Sequence, residues 1–281
     1  MREQNKIRPF LKWPGGKYRL IEQIHAVLPQ GRQLVEPFVG GGAIFLNTRF
    51  ENYLLNDANA DLIKLYQILQ REGCHFVDYC RKYFVKKFNS EKQYYRLRAK
   101  FNESSDPLKR SALFLYLNRH GYNGLCRYNA GKGEFNVPFG RYIRPYFPEN
   151  EMLLFYEKAK RVTFVCEDFK KTMKRAKKGS VIYCDPPYVP LNTTTAHFTA
   201  YRAGGFSLNQ QRELAVLANK LANKGIPVLL SNHSNDFTQQ IYQGALISEF
   251  NVQRFISCKV KERRAVLELL ALYPNINLPS C

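Results

Sequence analysis

Six short runs dominated by apolar residues set the rhythm of this chain, at 33–36, 53–56, 162–165, 181–184, 226–232 and 267–273. Each is closed by a proline, an acid or a polar cluster, which is the pattern of a buried β-strand that stops at a turn. Between them apolar residues recur at helical spacing. Leu62, Leu65, Tyr66 and Leu69 form one such stripe, and Leu214, Leu217 and Leu221 another. The second stripe follows Ser207-Leu208-Asn209-Gln210, which has the form of a capping box. Strand alternating with helix predicts an α/β domain built on a parallel sheet. Residues 74–147 break the rhythm. Helical spacing is clear there only from 108 to 118, with Leu113, Phe114 and Leu117 as a core stripe. A loop-rich stretch at 120–140 then mixes glycine, asparagine and aromatic residues.

At 281 residues the chain is long enough for one large domain or a domain with a sizeable insertion, and 45% hydrophobic residues suffice for a packed core. No run of about 18 apolar residues predicts a membrane span. The first six residues lack an apolar signal core, so a cytoplasmic location is expected. Seven scattered cysteines and five scattered histidines form neither a disulfide framework nor a zinc pattern, so no metal is expected. Charge changes the picture more. The net charge is +20, and residues 81–144 hold 15 Lys/Arg against 4 Asp/Glu. That segment carries over half the excess and points to a polyanion such as DNA, with a solvated basic face as the alternative.

The chemistry concentrates where the strand at 181–184 runs into Asp185-Pro186-Pro187-Tyr188. Neither proline can donate to a ladder, so the strand ends in a stiff corner. The corner presents an acceptor-only carboxylate, a carbonyl and an aromatic face. Such a set suits a planar heterocycle with an exocyclic amine: Asp185 and the Pro186 carbonyl accept its N–H groups, and Tyr188 stacks on the ring. A strand ending in a plain Pro-Pro turn is the bland alternative. Earlier in the chain, strand 33–36 leads into Pro37-Phe38-Val39-Gly40-Gly41-Gly42 and then a helix, a nucleotide-binding arrangement that lacks the full dinucleotide fingerprint. Asp57 follows the next strand, placed either to grip a ribose hydroxyl pair or to cap the following helix. Pro14-Gly15-Gly16-Lys17 permits close backbone approach but lacks the spacing of a P-loop, and Trp13 beside it fits a ligand site or the core equally. Within 120–140, Arg127 suits a bidentate contact to guanine, and Tyr122 is either a wedge between bases or a core residue. The small polar stretch at 191–196 is a candidate lid.

Taken together, these residues resemble the Dam family of DNA adenine methyltransferases, an α-group of amino-methyltransferases. The likeness runs through Phe10-Leu11-Lys12-Trp13-Pro14-Gly15-Gly16-Lys17, the loop Glu36 to Gly42, Asn56-Asp57-Ala58-Asn59 and Asp185-Pro186-Pro187-Tyr188. It implies a Rossmann-like, S-adenosylmethionine-dependent methyltransferase sheet with an inserted, mainly helical target-recognition domain carrying a β-hairpin or loop. The catalytic domain would be 1–59 with 148–281, and the recognition domain 60–147. The resemblance implies catalysis by Asp185, Pro186, Pro187 and Tyr188. It assigns cofactor binding to Trp13, Lys17, Glu36, Phe38, Gly40, Asp57 and Asp185, and contacts with duplex GATC to Lys12, Tyr122, Asn123, Leu125, Arg127, Asn129, Pro138 and Tyr142. A monomer is expected. Two stretches depart from the family pattern: Cys258 to Glu262, where a turn containing Asn and Gly is usual, and 130–133, which is one residue longer. The rival readings are a cytosine-N4 methyltransferase, disfavoured by the acid at 185, a nicotinamide enzyme, and a DNA-binding regulator with a silent site, which binds without turnover.

Overall fold

The computed structural model of the protein describes residues 6–189, 206–253 and 265–275. Its strands are β1 (Gln33–Glu36), β2 (Asn52–Asn56), β3 (Val162–Val165), β4 (Ser180–Cys184), β5 (Val228–His233), β6 (Leu246–Gln253) and β7 (Ala265–Tyr273). The helices are α1 (Ile21–Val27), α2 (Ala43–Asn47), α3 (Ala60–Glu72), α4 (Cys74–Arg81) and α5 (Glu91–Glu103). They continue with α6 (Pro107–His120), α7 (Glu149–Ala159), α8 (Phe169–Lys174), α9 (Leu208–Ala222) and α10 (Asp236–Ile241). The seven strands form one sheet in the order β3-β2-β1-β4-β5-β7-β6. All six strands expected from the apolar runs are present. β6 is the addition: nearly all of its residues are exposed or half-exposed, so it has no apolar signature.

Two compact units divide the chain, residues 1–22 with 39–167 and residues 23–38 with 168–281. In the first, β2 and β3 pair in parallel, and α6 packs against α3, α4 and α5. Because helices surround it, α6 is buried from Ser111 to Asn118 on every side, not only on the stripe at Leu113, Phe114 and Leu117. It starts with Pro107 in the first turn and with Asp106 Oδ1 accepting from Leu108 and Lys109. After it the chain forms the anticipated hairpin, with antiparallel bridges at Gly121–Phe139 and Tyr128–Phe135. α5 holds this hairpin: Asn102 bonds both backbone groups of Phe135, and Tyr94 and Arg98 both donate to the Val137 carbonyl.

In the second unit β4 is buried along its whole length and runs parallel to both β1 and β5. A strand enclosed on both faces reads as an unbroken apolar run, which is why it was legible. The strand order reverses between β1 and β4, and ligands of open α/β sheets lie beyond the carboxyl ends at such a point. β7 is antiparallel to β5 and β6. α9 carries the capping box at Ser207 and Gln210, as expected. Its buried face is Gln211, Leu214, Ala215, Ala218, Leu221 and Ala222, with Leu217 only half-buried.

Candidate active site

The glycine-loop residues lie in the first unit. Gly40 and Gly42 take positive φ (48° and 74°). A Cβ on Gly40 would come within 2.8 Å of the Trp13 indole nitrogen, so only glycine lets the loop lie against that ring. Tyr66 donates to the Gly40 carbonyl at 2.6 Å, and the Gly40 amide donates to Asp57 Oδ2 at 3.0 Å. Asp57 Oδ1 accepts from the amide of Asn59 at 2.9 Å. The cap of α3 is Asn59, whose side chain accepts from Asp61 and Leu62, so the capping alternative for Asp57 falls. Burial raises the pKa of Asp57, while its two amide donors oppose that shift. Trp13 is half-buried, and Lys17 is buried at the start of a 3-10 turn with its ammonium on the Gly15 carbonyl. Trp13, Gly40 and Asp57 thus meet, and Lys17 stands a few residues from Trp13.

Proposed DNA-contacting residues cluster in the same unit. Tyr122 is 41% exposed, so the core alternative fails for it. Asn123 is exposed in a left-handed conformation, and its amide donates to the Tyr142 hydroxyl. The Lys12 ammonium lies 3.7 Å from the centre of the Tyr142 ring. Burial, and then the charge of Arg119, bring Lys12 down to about 8. Leu125 is half-buried, while Arg127, Asn129 and Pro138 are exposed along the hairpin. Arg127 is oriented through Nε, which donates to Asn136 Oδ1 at 2.7 Å.

The Asp185-Pro186-Pro187-Tyr188 corner belongs to the second unit. Asp185 is half-buried at the end of β4, Pro186 is buried, Pro187 is exposed, and Tyr188 is half-buried. Ser231 on β5 donates to Asp185 Oδ1 at 3.0 Å and also lies 3.1 Å from the Tyr183 hydroxyl. The Tyr188 hydroxyl donates to Glu268 Oε2 at 3.1 Å, and its ring meets His233 edge-on at 4.7 Å. Backbone groups on either side of Tyr188 are held as well. Gln211 donates to the Pro187 carbonyl, Asn232 accepts from the Val189 amide, and His233 Nδ1 lies 2.7 Å from the Val189 carbonyl. Glu36 is buried at the end of β1, and Phe38 packs with Phe169 and Phe206. Burial first, and then the negative field of Asp185, push the Tyr183 phenol well above its ordinary value; Glu36 and Glu268 add to that field.

Ser231, Asn232, His233, Gln211 and Glu268 escaped the sequence reading. A faint signal existed: Ser231-Asn232-His233 ends an apolar strand, and Glu268 is the lone acid in one. The candidate lid at 191–196 and the Cys258 to Glu262 stretch lie outside the described residues. Among the described residues no group of three or more His, Cys, Asp and Glu could hold a metal ion.

An open α/β sheet whose strand order reverses between β1 and β4, with a glycine loop after β1, places the chain in the nucleotide-binding α/β class. Comparison with known proteins narrows the class. A family model described as D12 class N6 adenine-specific DNA methyltransferase matches residues 13–256. The chain is 52% identical over 276 residues to the DNA adenine methylases of Salmonella typhi and Escherichia coli K12, covering 98% of this chain and 99% of each of those. To the Vibrio cholerae El Tor enzyme of the same description it is 51% identical over 269 residues, covering 95% of this chain and 96% of that one. This chain belongs to the D12 class N6 adenine-specific DNA methyltransferase family, and it is an adenine-specific DNA methyltransferase. Among solved structures, the rRNA methyltransferase aviRa from Streptomyces viridochromogenes is similar with a TM-score of 0.41 at 10% identity, over 98% of this chain and 95% of that one.

Proposed function

We propose that the chain methylates N6 of adenine within GATC sites of double-stranded DNA, on a base flipped out of the helix. Flipping is required because the amine is paired inside a duplex, and it costs a few kcal/mol. The observation that carries the reading is the corner at 185–188: a carboxylate oriented by Ser231, a carbonyl, and an aromatic ring held through its hydroxyl by Glu268 and packed against His233.

In the resting base the N6 lone pair is delocalised into the ring. As N6 attacks, it becomes pyramidal and gains positive charge. Asp185 and the Pro186 carbonyl each accept one of its N–H groups, and both bind the charged nitrogen more tightly than the neutral one. Tyr188 stacks on the ring and sets the line of attack. Ser231 contributes by fixing the plane of the Asp185 carboxylate.

S-adenosylmethionine fits the residues present, since the acceptor-only Asp57 suits a ribose diol and the glycine loop leaves no room for a side chain beside Trp13. When bound it supplies an electrophilic methyl group on a sulfonium. Asp57 would hold the ribose, Trp13 and Lys17 the methionine end, and Glu36, Phe38, Gly40 and Asp185 the remainder. No metal enters this mechanism.

Residues 1–59 and 148–281 would form the catalytic domain, and 60–147 the recognition domain. There Arg127 would read guanine, Tyr122 would wedge into the stack, and Lys12, Asn123, Leu125, Asn129, Pro138 and Tyr142 would complete the contact. We take the enzyme to be a cytoplasmic monomer. The test is transfer of labelled methyl to duplexes with GATC or a scrambled site, followed by nucleoside analysis. N6-methyladenine on the GATC duplex alone is expected, and equal labelling of both would remove the GATC assignment. Asp185→Ala should lose turnover while keeping DNA affinity; normal turnover in that variant would sink the role given to Asp185.

A further inference from the structure

The ring of Tyr188 is useful only if it stands still. A ring stacked on a flipped base must hold its tilt to within a few degrees while the nitrogen approaches the methyl group, because a misplacement of about 1 Å can cost on the order of a hundredfold in rate. Stacking alone does not supply that constraint, since π faces slide past one another at little cost. In this structure the constraint comes from β7. The Tyr188 hydroxyl donates to Oε2 of Glu268, a carboxylate only 7% exposed. Register on the sheet places Glu268 opposite His233 of β5, and the His233 ring stands at 80° to the same tyrosine ring, 4.7 Å away between ring centres. The hydroxyl and the ring are therefore held by paired positions on two adjacent strands.

An acid in the middle of an apolar strand is costly unless something specific uses it. Apart from Glu268, β7 reads Ala-Val-Leu-Leu-Leu-Ala-Leu-Tyr, and residues 269–271 are buried. Tyr188 remains a neutral phenol, because burial and the fields of Asp185 and Glu268 all raise its pKa. With the phenol neutral, its O–H is the donor in this bond.

We propose that Glu268 is a positioning residue for methyl transfer: through its hydrogen bond to the Tyr188 hydroxyl it sets the orientation of the ring on which the flipped adenine stacks. It touches neither base nor methyl donor and acts through Tyr188. The bond also leaves the phenol oxygen richer in electrons, which strengthens the attraction between the ring face and the positive charge that grows on the adenine. The proposal rests on the stacking role given to Tyr188.

The test uses the full chain with GATC duplex and S-adenosylmethionine, in five variants: Tyr188→Ala, Tyr188→Phe, Glu268→Ala, Glu268→Gln and the double Tyr188→Phe/Glu268→Ala. Single-turnover rates are measured, with DNA affinity and circular dichroism beside them. Expected are a loss of about ten- to a hundredfold in rate for Glu268→Ala at unchanged duplex affinity, and recovery of most of that loss by Glu268→Gln, whose amide oxygen still accepts. The double variant should be no slower than Tyr188→Phe alone, because both changes break one bond. If Tyr188→Ala abolishes transfer while Glu268→Ala keeps the wild-type rate, the positioning role is overturned and the stacking role stands. If losses in the double variant multiply, Glu268 acts by another route and the proposal fails. If Tyr188→Ala keeps its turnover, the stacking role falls and takes this inference with it. Should Glu268→Ala not fold, the decision passes to Glu268→Gln and Tyr188→Phe: a Tyr188→Phe rate equal to wild type would overturn the proposal.

Discussion

Lys12, proposed as a DNA contact, would tie DNA binding to pH. Its ammonium lies over the Tyr142 ring beside Arg119, and burial with that neighbouring charge brings its pKa down to about 8. A cation that meets DNA must be protonated in the complex, so binding takes up a proton wherever the unbound enzyme has lost one. Affinity should then weaken as pH rises through about 8. The sign is fixed, because a lysine lowered toward neutrality loses charge on the alkaline side. Dissociation constants at pH 7, 8 and 9 check this. Lys12→Arg should flatten the profile while keeping affinity, and Lys12→Gln should flatten it at weaker affinity. A profile unchanged in Lys12→Gln would place the titration elsewhere. Tyr122 and Asp57 teach a related lesson. Their side-chain types admitted two roles each, and burial and partners removed one of the two: exposure the core role of Tyr122, and a cap supplied by Asn59 the capping role of Asp57.

At the scale of elements, α9 is the clearest case of a helix set by local sequence and then used at a distance. Its capping box at Ser207 and Gln210 satisfies amides that would otherwise be orphaned at the N-terminus. One residue further on, Gln211 reaches from α9 to the Pro187 carbonyl. Ser207→Ala should cost about 1 kcal/mol in urea unfolding. It should also lower the rate of methyl transfer modestly, because fraying of the first turn loosens Gln211. An unfolding loss with an unaltered rate would show that the bond to Pro187 survives fraying. Elements were legible where local forces dominate: β4 from its apolar run, and α6 from the helical spacing at 108–118, although its start at Asp106-Pro107 went unread. β6 was not legible. Its residues face solvent, and it is a strand only because β7 offers it a ladder along its full length.

For the molecule as a whole, the charge of +20 is the dominant property, and it is distributed unevenly. Neutralising phosphates releases counterions, so affinity should fall steeply with salt. A footprint of six to ten phosphates would lose on the order of 10³–10⁵ in affinity between about 50 and 200 mM. Titrations across that range check it on GATC and scrambled duplexes. Their slopes should be parallel, because phosphate contacts carry no sequence. A slope near zero would return the basic segment at 81–144 to a solvated face.

By itself the sequence determined the chemistry and the local scaffolding. Apolar runs closed by turn formers made strands, capping residues started helices, and Asp-Pro-Pro-Tyr at a strand end marked the corner proposed to accept the amine. Those features act between residues a few positions apart, so they survive in a one-dimensional reading. Only the tertiary structure decided which groups meet that corner. Ser231 reaches Asp185 across 46 positions, Gln211 reaches Pro187 across 24, and Glu268 reaches Tyr188 across 80. A hydrogen bond needs its partners within about 3 Å. Such closeness between distant residues is set by strand order and register, which place β5 beside β4 and β7 beside β5.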